Sequence, residues 1–160
     1  MRHKTVIRFV VSLAAVFSVS ALSAMAMRSE ATWDWYNQLN KPFFMPPGWL
    51  FGPVWTILYI LMAAAAFLVW QRGFQDKKVK TALGLFLIQL ILNGLWTPLF
   101  FGLQQIFIAF LEIILLWAAI LITIISFKKI SLPAAILMLP YLFWVSFAAV
   151  LNMSLWLLNP

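Results

Sequence analysis

The chain lacks cysteine altogether, and its 160 residues include one histidine and four acidic side chains. Without cysteine there can be no disulfide, no thiolate chemistry and no cysteine-ligated metal. The single histidine, His3, precedes the first apolar run, and no carboxylates are paired within the apolar runs. Zinc hydrolysis, axial haem ligation and triad catalysis therefore have no candidate residues. There is also no glycine-rich phosphate-binding loop. These absences predict no metal site and no required cofactor.

Charge is scarce as well, because 9% of the residues are charged and 65% are hydrophobic. An apolar run of ~20 residues is long enough to cross a bilayer as a helix. The runs are continuous rather than alternating, which favours helices over a transmembrane barrel. We therefore predict an all-α integral membrane bundle that forms a single domain over residues 1–160. Its five predicted spans cover about residues 5–27, 49–71, 79–101, 105–127 and 132–157.

The net charge of +7 is distributed unevenly along the chain. Five spans place nine basic residues on one side of the membrane: Arg2, Lys4, Arg8, Arg72, Lys77, Lys78, Lys80, Lys128 and Lys129. Only Arg28 and Lys41 fall on the other side, where Glu30 and Asp34 offset them. This positive-inside pattern predicts a cytoplasmic N-terminus, an external C-terminus and contact with the lipid bilayer. It argues against nucleic acid as a partner.

The first predicted span has a second interpretation. Three basic residues, an apolar run and the small-residue segment at 23–26 also resemble a cleavable signal peptide. Cleavage would leave four spans and the same orientation. The uninterrupted run from Phe9 to Met27 is long for a signal peptide, which favours a retained helix.

The loop over about residues 28–48 concentrates aromatic and proline residues outside the membrane. Five aromatic side chains and three prolines lie in this loop, and the prolines restrict its backbone. One interpretation is an interfacial aromatic belt. The other is a lid over a ligand pocket, which explains better why so many rings are gathered in one stiffened loop.

Three later segments place aromatic and small residues on single helix faces. Trp55 and Tyr59 are four residues apart and share a face of the second span. In the third span Asn93, Trp96, Thr97 and Phe100 form one stripe, and in the fifth Trp144, Phe147, Ala148 and Leu151 form another. The Asn93 amide needs either a ligand or a hydrogen bond to another helix. An aromatic cavity with few polar groups suits a large apolar ligand.

Glu112 is the only acidic residue well inside a span. A carboxyl group is costly at that depth and is therefore a candidate functional residue. Pairing with a neighbouring helix, or a hydrogen bond from a tryptophan N–H, is the structural alternative.

Several of these segments together resemble the TspO/MBR family, the tryptophan-rich sensory proteins and translocator proteins. The segments that carry the resemblance are Trp35-Tyr36 with Lys41-Pro42, Pro46-Pro47-Gly48-Trp49, Gly52-Pro53-Val54-Trp55-Thr56 with Tyr59, residues 92–101, and Pro140-Tyr141 followed by Trp144, Phe147-Ala148 and Leu151-Asn152. They lie in the family's order from about residue 33 to residue 152.

The resemblance implies a five-helix bundle, a homodimer, and a pocket beneath the first loop among spans one, two, three and five. It implies that the pocket binds porphyrins such as protoporphyrin IX and benzodiazepine- or isoquinoline-type ligands. The implied ligand-binding residues are Tyr36, Pro46, Trp55, Tyr59, Asn93, Trp96, Thr97, Trp144 and Ala148. Glu112 falls where family members often carry an acid.

The resemblance leaves three functions open: a sensory or regulatory tetrapyrrole-binding protein, a light- and oxygen-dependent porphyrin-degrading enzyme, or a transporter of tetrapyrroles or lipids. In the enzyme, Trp55 and Trp144 would be the catalytic residues. The absence of an inverted repeat argues mildly against a transporter. The basic residue of the animal cholesterol motif is missing after Asn152, so the motif is incomplete and does not support cholesterol recognition. The charge bias and the signal-like N-terminus point to a bacterial inner membrane.

Overall fold

The computed structural model of the chain describes residues 2–25 and 29–160. Within these ranges it forms six α-helices and no strand: α1 (Arg2–Met25), α2 (Glu30–Gln38), α3 (Phe51–Gln71), α4 (Lys77–Thr97), α5 (Ile106–Lys128) and α6 (Leu132–Leu158). All but α2 are long and apolar enough to cross a membrane. The prediction of an all-α bundle with five spans is confirmed. The predicted end of the first span, the segment at 26–28 and hence Arg28 lie outside the described residues.

The ends of the helices follow from local sequence. The Asp76 carboxylate caps α4 by accepting a hydrogen bond from the backbone N–H of Lys78, at 2.8 Å. Pro46 and Pro47 precede a short 3-10 turn, Gly48–Leu50, that leads into α3. At the same end of the bundle Pro98 follows α4, and residues Pro98–Gly102 form a π-helical turn. That turn carries two of the aromatic rings that contact α2.

The five long helices form a closed ring. Helix α1 packs against α3 and α4, α3 packs against α6, and α5 joins α6 to α4. Helices α3 and α4 also touch across the ring. This arrangement encloses a space between the helices, and its apolar core is made by residues such as Met62, Leu116, Met138 and Tyr141.

Helices α1 and α4 approach each other closely at Gly94. A Cβ atom at this position would lie 2.9 Å from Cγ1 of Val19. The Ser23 hydroxyl donates a hydrogen bond to the Gly94 carbonyl across the same contact, at 3.2 Å. A larger residue at position 94 would displace the Val19 side chain, so glycine permits this close packing of α1 on α4, as small residues generally do between membrane helices.

The segment predicted as a loop over 28–48 contains the helix α2. Its first turn carries Glu30, whose negative charge suits the positive end of a helix. Rings of α2 pack against the π-helical turn. The ring centres of Tyr36 and Phe101 are 5.3 Å apart, and those of Trp35 and Phe100 are 5.6 Å apart. The aromatic residues therefore dock the segment onto the bundle instead of leaving it in solvent.

The segment after α2 is also tied to the end of α6. Asn159 accepts a hydrogen bond from the backbone N–H of Asn40 at 2.8 Å and donates one to the Asn40 carbonyl at 3.0 Å. The Asn40 side chain in turn donates to the Leu158 carbonyl at 3.3 Å. The segment Ser29–Pro47, which we call the roof, is thus held at both α4 and α6.

Candidate ligand-binding site

Beneath the roof lies a cavity of about 510 Å³. Side chains of all six helices line it, and the long helices contribute mainly from the halves that lie nearest the roof. Its volume is within the range of ~300–1,000 Å³ that is usual for small-molecule sites. Most of its surface is aromatic or aliphatic, so an apolar or amphipathic molecule is the ligand that it suits.

Eight of the nine predicted binding residues line this cavity: Tyr36, Trp55, Tyr59, Asn93, Trp96, Thr97, Trp144 and Ala148. The ninth, Pro46, does not, although its neighbour Met45 does. Of the predicted stripe on α6, Phe147 is also outside the lining, while Leu151 is part of it. The ligand-binding roles of these residues stay predictions, but their convergence on one space is an observation.

Trp55 and Trp144 come from different helices and face the same cavity. The Trp55 ring lies 5.3 Å from Tyr59 and 6.1 Å from Tyr141. Trp144 lies 5.8 Å from Phe51, an edge-to-face contact between α6 and α3. Such contacts stabilise aromatic pairs by ~0.5–1.5 kcal/mol and restrict the rotation of the rings. Two indoles are therefore held in defined positions along the cavity wall.

Asn93 connects three helices at the wall of the cavity. The Tyr59 hydroxyl donates to the Asn93 side-chain oxygen at 3.2 Å, and the Asn93 amide donates to the Tyr141 hydroxyl at 3.0 Å. Of the two alternatives for this buried amide, the hydrogen bond to other helices is therefore formed. Because Asn93 also lines the cavity, this does not exclude contact with a ligand.

Asn152 is a second buried amide that connects three helices by hydrogen bonds, and it lies nearer the roof. Trp96 donates its indole N–H to the Asn152 oxygen at 3.0 Å, and the Asn152 amide donates to the Ile106 carbonyl at 2.9 Å. The Ile106 carbonyl belongs to the first turn of α5, so α4, α5 and α6 meet here. The Trp96 ring, held by this bond, stacks on Phe100 at 4.9 Å.

Tyr36 forms part of the ceiling of the cavity. Its hydroxyl lies 3.9 Å from the sulfur of Met45, and the Lys41 ammonium lies 4.4 Å from the centre of its ring. Burial raises the pKa of the Tyr36 phenol above 10.0. The phenol is therefore a neutral hydrogen-bond donor at physiological pH, with a cation directly beside it.

Two parts of the lining were missed by the sequence-based prediction. Phe17, Ser20, Ser23 and Ala24 contribute from α1, although no residue of the first span was predicted as a ligand contact. Ile113 and Leu116 of α5 also contribute, so the fourth span takes part, unlike in the arrangement implied by the family resemblance. Helix α1 carries four serines, Ser12, Ser18, Ser20 and Ser23, and only the last two line the cavity, so polarity alone did not indicate which face of α1 turns inward.

Glu112 is buried beside the cavity wall but does not line it. Neither of its carboxyl oxygens has a hydrogen-bond partner among the described residues, and the same holds for the side-chain amide of Gln89. The suggested hydrogen bond from a tryptophan N–H to Glu112 is not formed. The indoles of Trp96 and Trp117 donate to Asn152 and Ser146 instead. Within residues 2–25 and 29–160 no group of three potential metal ligands occurs.

The fold and the cavity define a class: a helical integral membrane protein with an aromatic cavity between its helices, beneath the roof. Residues 9–157 match the TspO/MBR family, and the chain belongs to that family.

Relatives of this family occur in bacteria, archaea and animals. The tryptophan-rich protein TspO of Chlorobaculum tepidum is 45% identical over 130 residues, covering 81% of this chain and 82% of the relative. TspO of Archaeoglobus fulgidus is 40% identical over 155 residues, covering 96% and 98%. The translocator protein of Homo sapiens is 41% identical over 124 residues, covering 76% and 73%.

Proposed function

We propose that this protein binds porphyrin-type tetrapyrroles in the cavity beneath the roof and has a sensory or regulatory role in tetrapyrrole metabolism. The observation that supports this most is the convergence of Trp55 and Trp144 on one cavity of about 510 Å³. Two indoles in one cavity wall present flat, polarisable surfaces, and a flat aromatic macrocycle is a ligand that can contact both. Benzodiazepine- or isoquinoline-type compounds are smaller flat ligands that the same walls would accept.

The chemistry of the roof agrees with a ligand that carries carboxylates. A porphyrin with propionate groups must bury its ring while its charges stay near water or a cation. Lys41 does not line the cavity, but its ammonium lies over the ring of Tyr36, which does, so the roof holds a cation close to the cavity. We propose that the macrocycle lies between the indoles with its carboxylates directed toward the roof.

A titration tests this function. Protoporphyrin IX added to the protein in detergent should quench tryptophan fluorescence saturably, and Trp144→Ala should weaken binding by about tenfold. The reason is that the variant loses both stacking and buried apolar area, worth ~1.4 kcal/mol or more. The matched control is Trp70→Ala, because Trp70 lies at the other end of α3 and does not line the cavity. Quenching without saturation, or equal affinities in both variants, would contradict the proposal.

Degradation of the porphyrin under light is a second candidate function, with dioxygen as the oxidant. The observation that favours it is the proximity of Trp55 to two tyrosine rings in the same cavity wall, since these are oxidisable groups next to the proposed macrocycle. Illumination of the complex in air should then change the porphyrin absorbance, and Trp55→Phe with Trp144→Phe should suppress the change while binding persists. An unaltered rate of absorbance change in the double variant would contradict degradation through these indoles. If the rate falls only because the double variant no longer binds porphyrin, the result supports the binding function alone.

The membrane setting belongs to the same proposal. We propose a bacterial inner membrane with the N-terminus in the cytoplasm, because the basic residues gather at the end of the bundle opposite the roof. The homodimer implied by the family resemblance stays a prediction.

A further inference from the structure

A second pocket lies at the end of the bundle opposite the roof. Its volume is about 500 Å³, and it lies between the start of α4 and the end of α5. Three lysines line it, Lys77, Lys78 and Lys129, together with the hydroxyls of Thr81 and Ser126. None of these residues has a part in the tetrapyrrole site, so the proposed function leaves this pocket unexplained.

The pocket is strongly biased toward anions. Asp76 is its only acidic residue, and one oxygen of that carboxylate accepts the hydrogen bond from the Lys78 backbone that caps α4. Three ammonium groups against one carboxylate give a net charge of +2. The positive end of the α4 dipole adds to this potential. The two hydroxyls supply neutral hydrogen-bond donors of the kind that bind phosphate oxygens.

The position of the pocket relative to the bilayer identifies the source of the anion. The span that begins at Lys77 is 26 residues long, which corresponds to ~39 Å at ~1.5 Å per residue. The hydrocarbon core is only ~30 Å thick. This length lets the span extend beyond the core, and the charges of Lys77, Lys78 and Lys129 place the first residues of α4 and the last of α5 at the depth of the lipid headgroups.

We propose that this pocket binds the phosphate headgroup of an anionic glycerophospholipid, such as phosphatidylglycerol. Basic pockets between membrane helices on the positively charged side of a protein are the usual sites for such headgroups. Ile130 supplies an apolar edge to the pocket, where the start of an acyl chain would leave it. The bound lipid would bridge α4 and α5 on the side of the membrane opposite the tetrapyrrole.

The test is a lipid titration of the full-length protein in a neutral detergent, followed by native mass spectrometry. Phosphatidylglycerol should bind roughly tenfold more tightly than phosphatidylcholine of the same chain length. The triple variant Lys77→Gln, Lys78→Gln and Lys129→Gln should lose roughly that preference. Its protoporphyrin IX titration should be unchanged, which shows that the bundle is folded.

The matched control removes the same charge from the same side of the membrane. Arg72→Gln, Lys80→Gln and Lys128→Gln alter residues outside the pocket, and the Lys80 ammonium lies over the Phe74 ring at 5.6 Å. This control should keep the preference for phosphatidylglycerol. If both triple variants lose it equally, the attraction is diffuse and the proposal of a built site is wrong.

Two further arms complete the test. If inorganic phosphate or glycerol phosphate at millimolar concentration displaces the lipid fully, the pocket is a site for soluble anions and the lipid proposal is overturned. If the pocket triple variant does not fold, Lys129→Gln is compared with its neighbour Lys128→Gln. Only the first should weaken phosphatidylglycerol binding, and equal effects would contradict the proposal.

Discussion

Replacing Ala148 with tryptophan is expected to abolish tetrapyrrole binding while the bundle stays folded. Ala148 is half-buried on α6 and lines the cavity, one helical turn from Trp144. A further indole at this position would occupy the space that the macrocycle needs. The loss should be about hundredfold in affinity, or ~2.8 kcal/mol, because a filled cavity cannot open without separating packed helices.

The matched control for this variant is Val150→Trp. Val150 lies two residues further along α6, is 57% exposed and does not line the cavity. The Val150→Trp substitution adds a large ring to the outer face of the same helix, where lipid can accommodate the ring. Fluorescence titration with protoporphyrin IX measures both variants. An Ala148→Trp protein that binds with unchanged affinity would show that the ligand lies elsewhere.

Asn93→Leu is expected to destabilise the bundle. It removes both hydrogen bonds of the Asn93 side chain and leaves two tyrosine hydroxyls, one on α3 and one on α6, without this partner. Hydrogen bonds between membrane helices contribute ~0.6 kcal/mol on average and up to ~1.7. A loss of about 1–3 kcal/mol in the free energy of unfolding is therefore expected, since leucine keeps the branching of the side chain at Cγ but replaces both polar groups by bulkier methyl groups.

Tyr59→Phe provides the comparison, because it removes only one of the two hydrogen bonds and keeps the ring. Unfolding of each protein by denaturant in detergent, with helicity as the signal, gives the two losses. The double variant should lose less than the sum of the single variants, because both changes break the same bond. Fully additive losses would mean that the Tyr59–Asn93 bond contributes nothing to stability.

The five spans could be predicted because membrane thickness imposes a length that an apolar run displays directly. The aromatic faces could be predicted because residues four apart lie on one side of a helix, as Trp55 and Tyr59 do. Helix α2 was harder to predict, because its nine residues include five polar ones and are too few to show a helical period. Its docking depends on rings of the π-helical turn, which are distant in the sequence.

The contributions of α1 and α5 could not be predicted for a different reason. A span that is apolar on every side shows no preferred face, so nothing in the pattern distinguishes Phe17 or Ile113 from residues that face lipid. Pro46 was predicted from a family motif. Such a motif identifies a segment, but it does not show which side chains of that segment face the cavity. Glu112 was recognised as unusual, but its surroundings depend on how three helices pack.

The structure of the complex with protoporphyrin IX, determined in lipid nanodiscs, tests the central claim most directly. The account predicts a macrocycle beneath the roof, in contact with the indoles of both Trp55 and Trp144, with its carboxylates nearer Lys41 than Glu112. A macrocycle bound on the outer face of the bundle, with the cavity between those indoles still open, would contradict it.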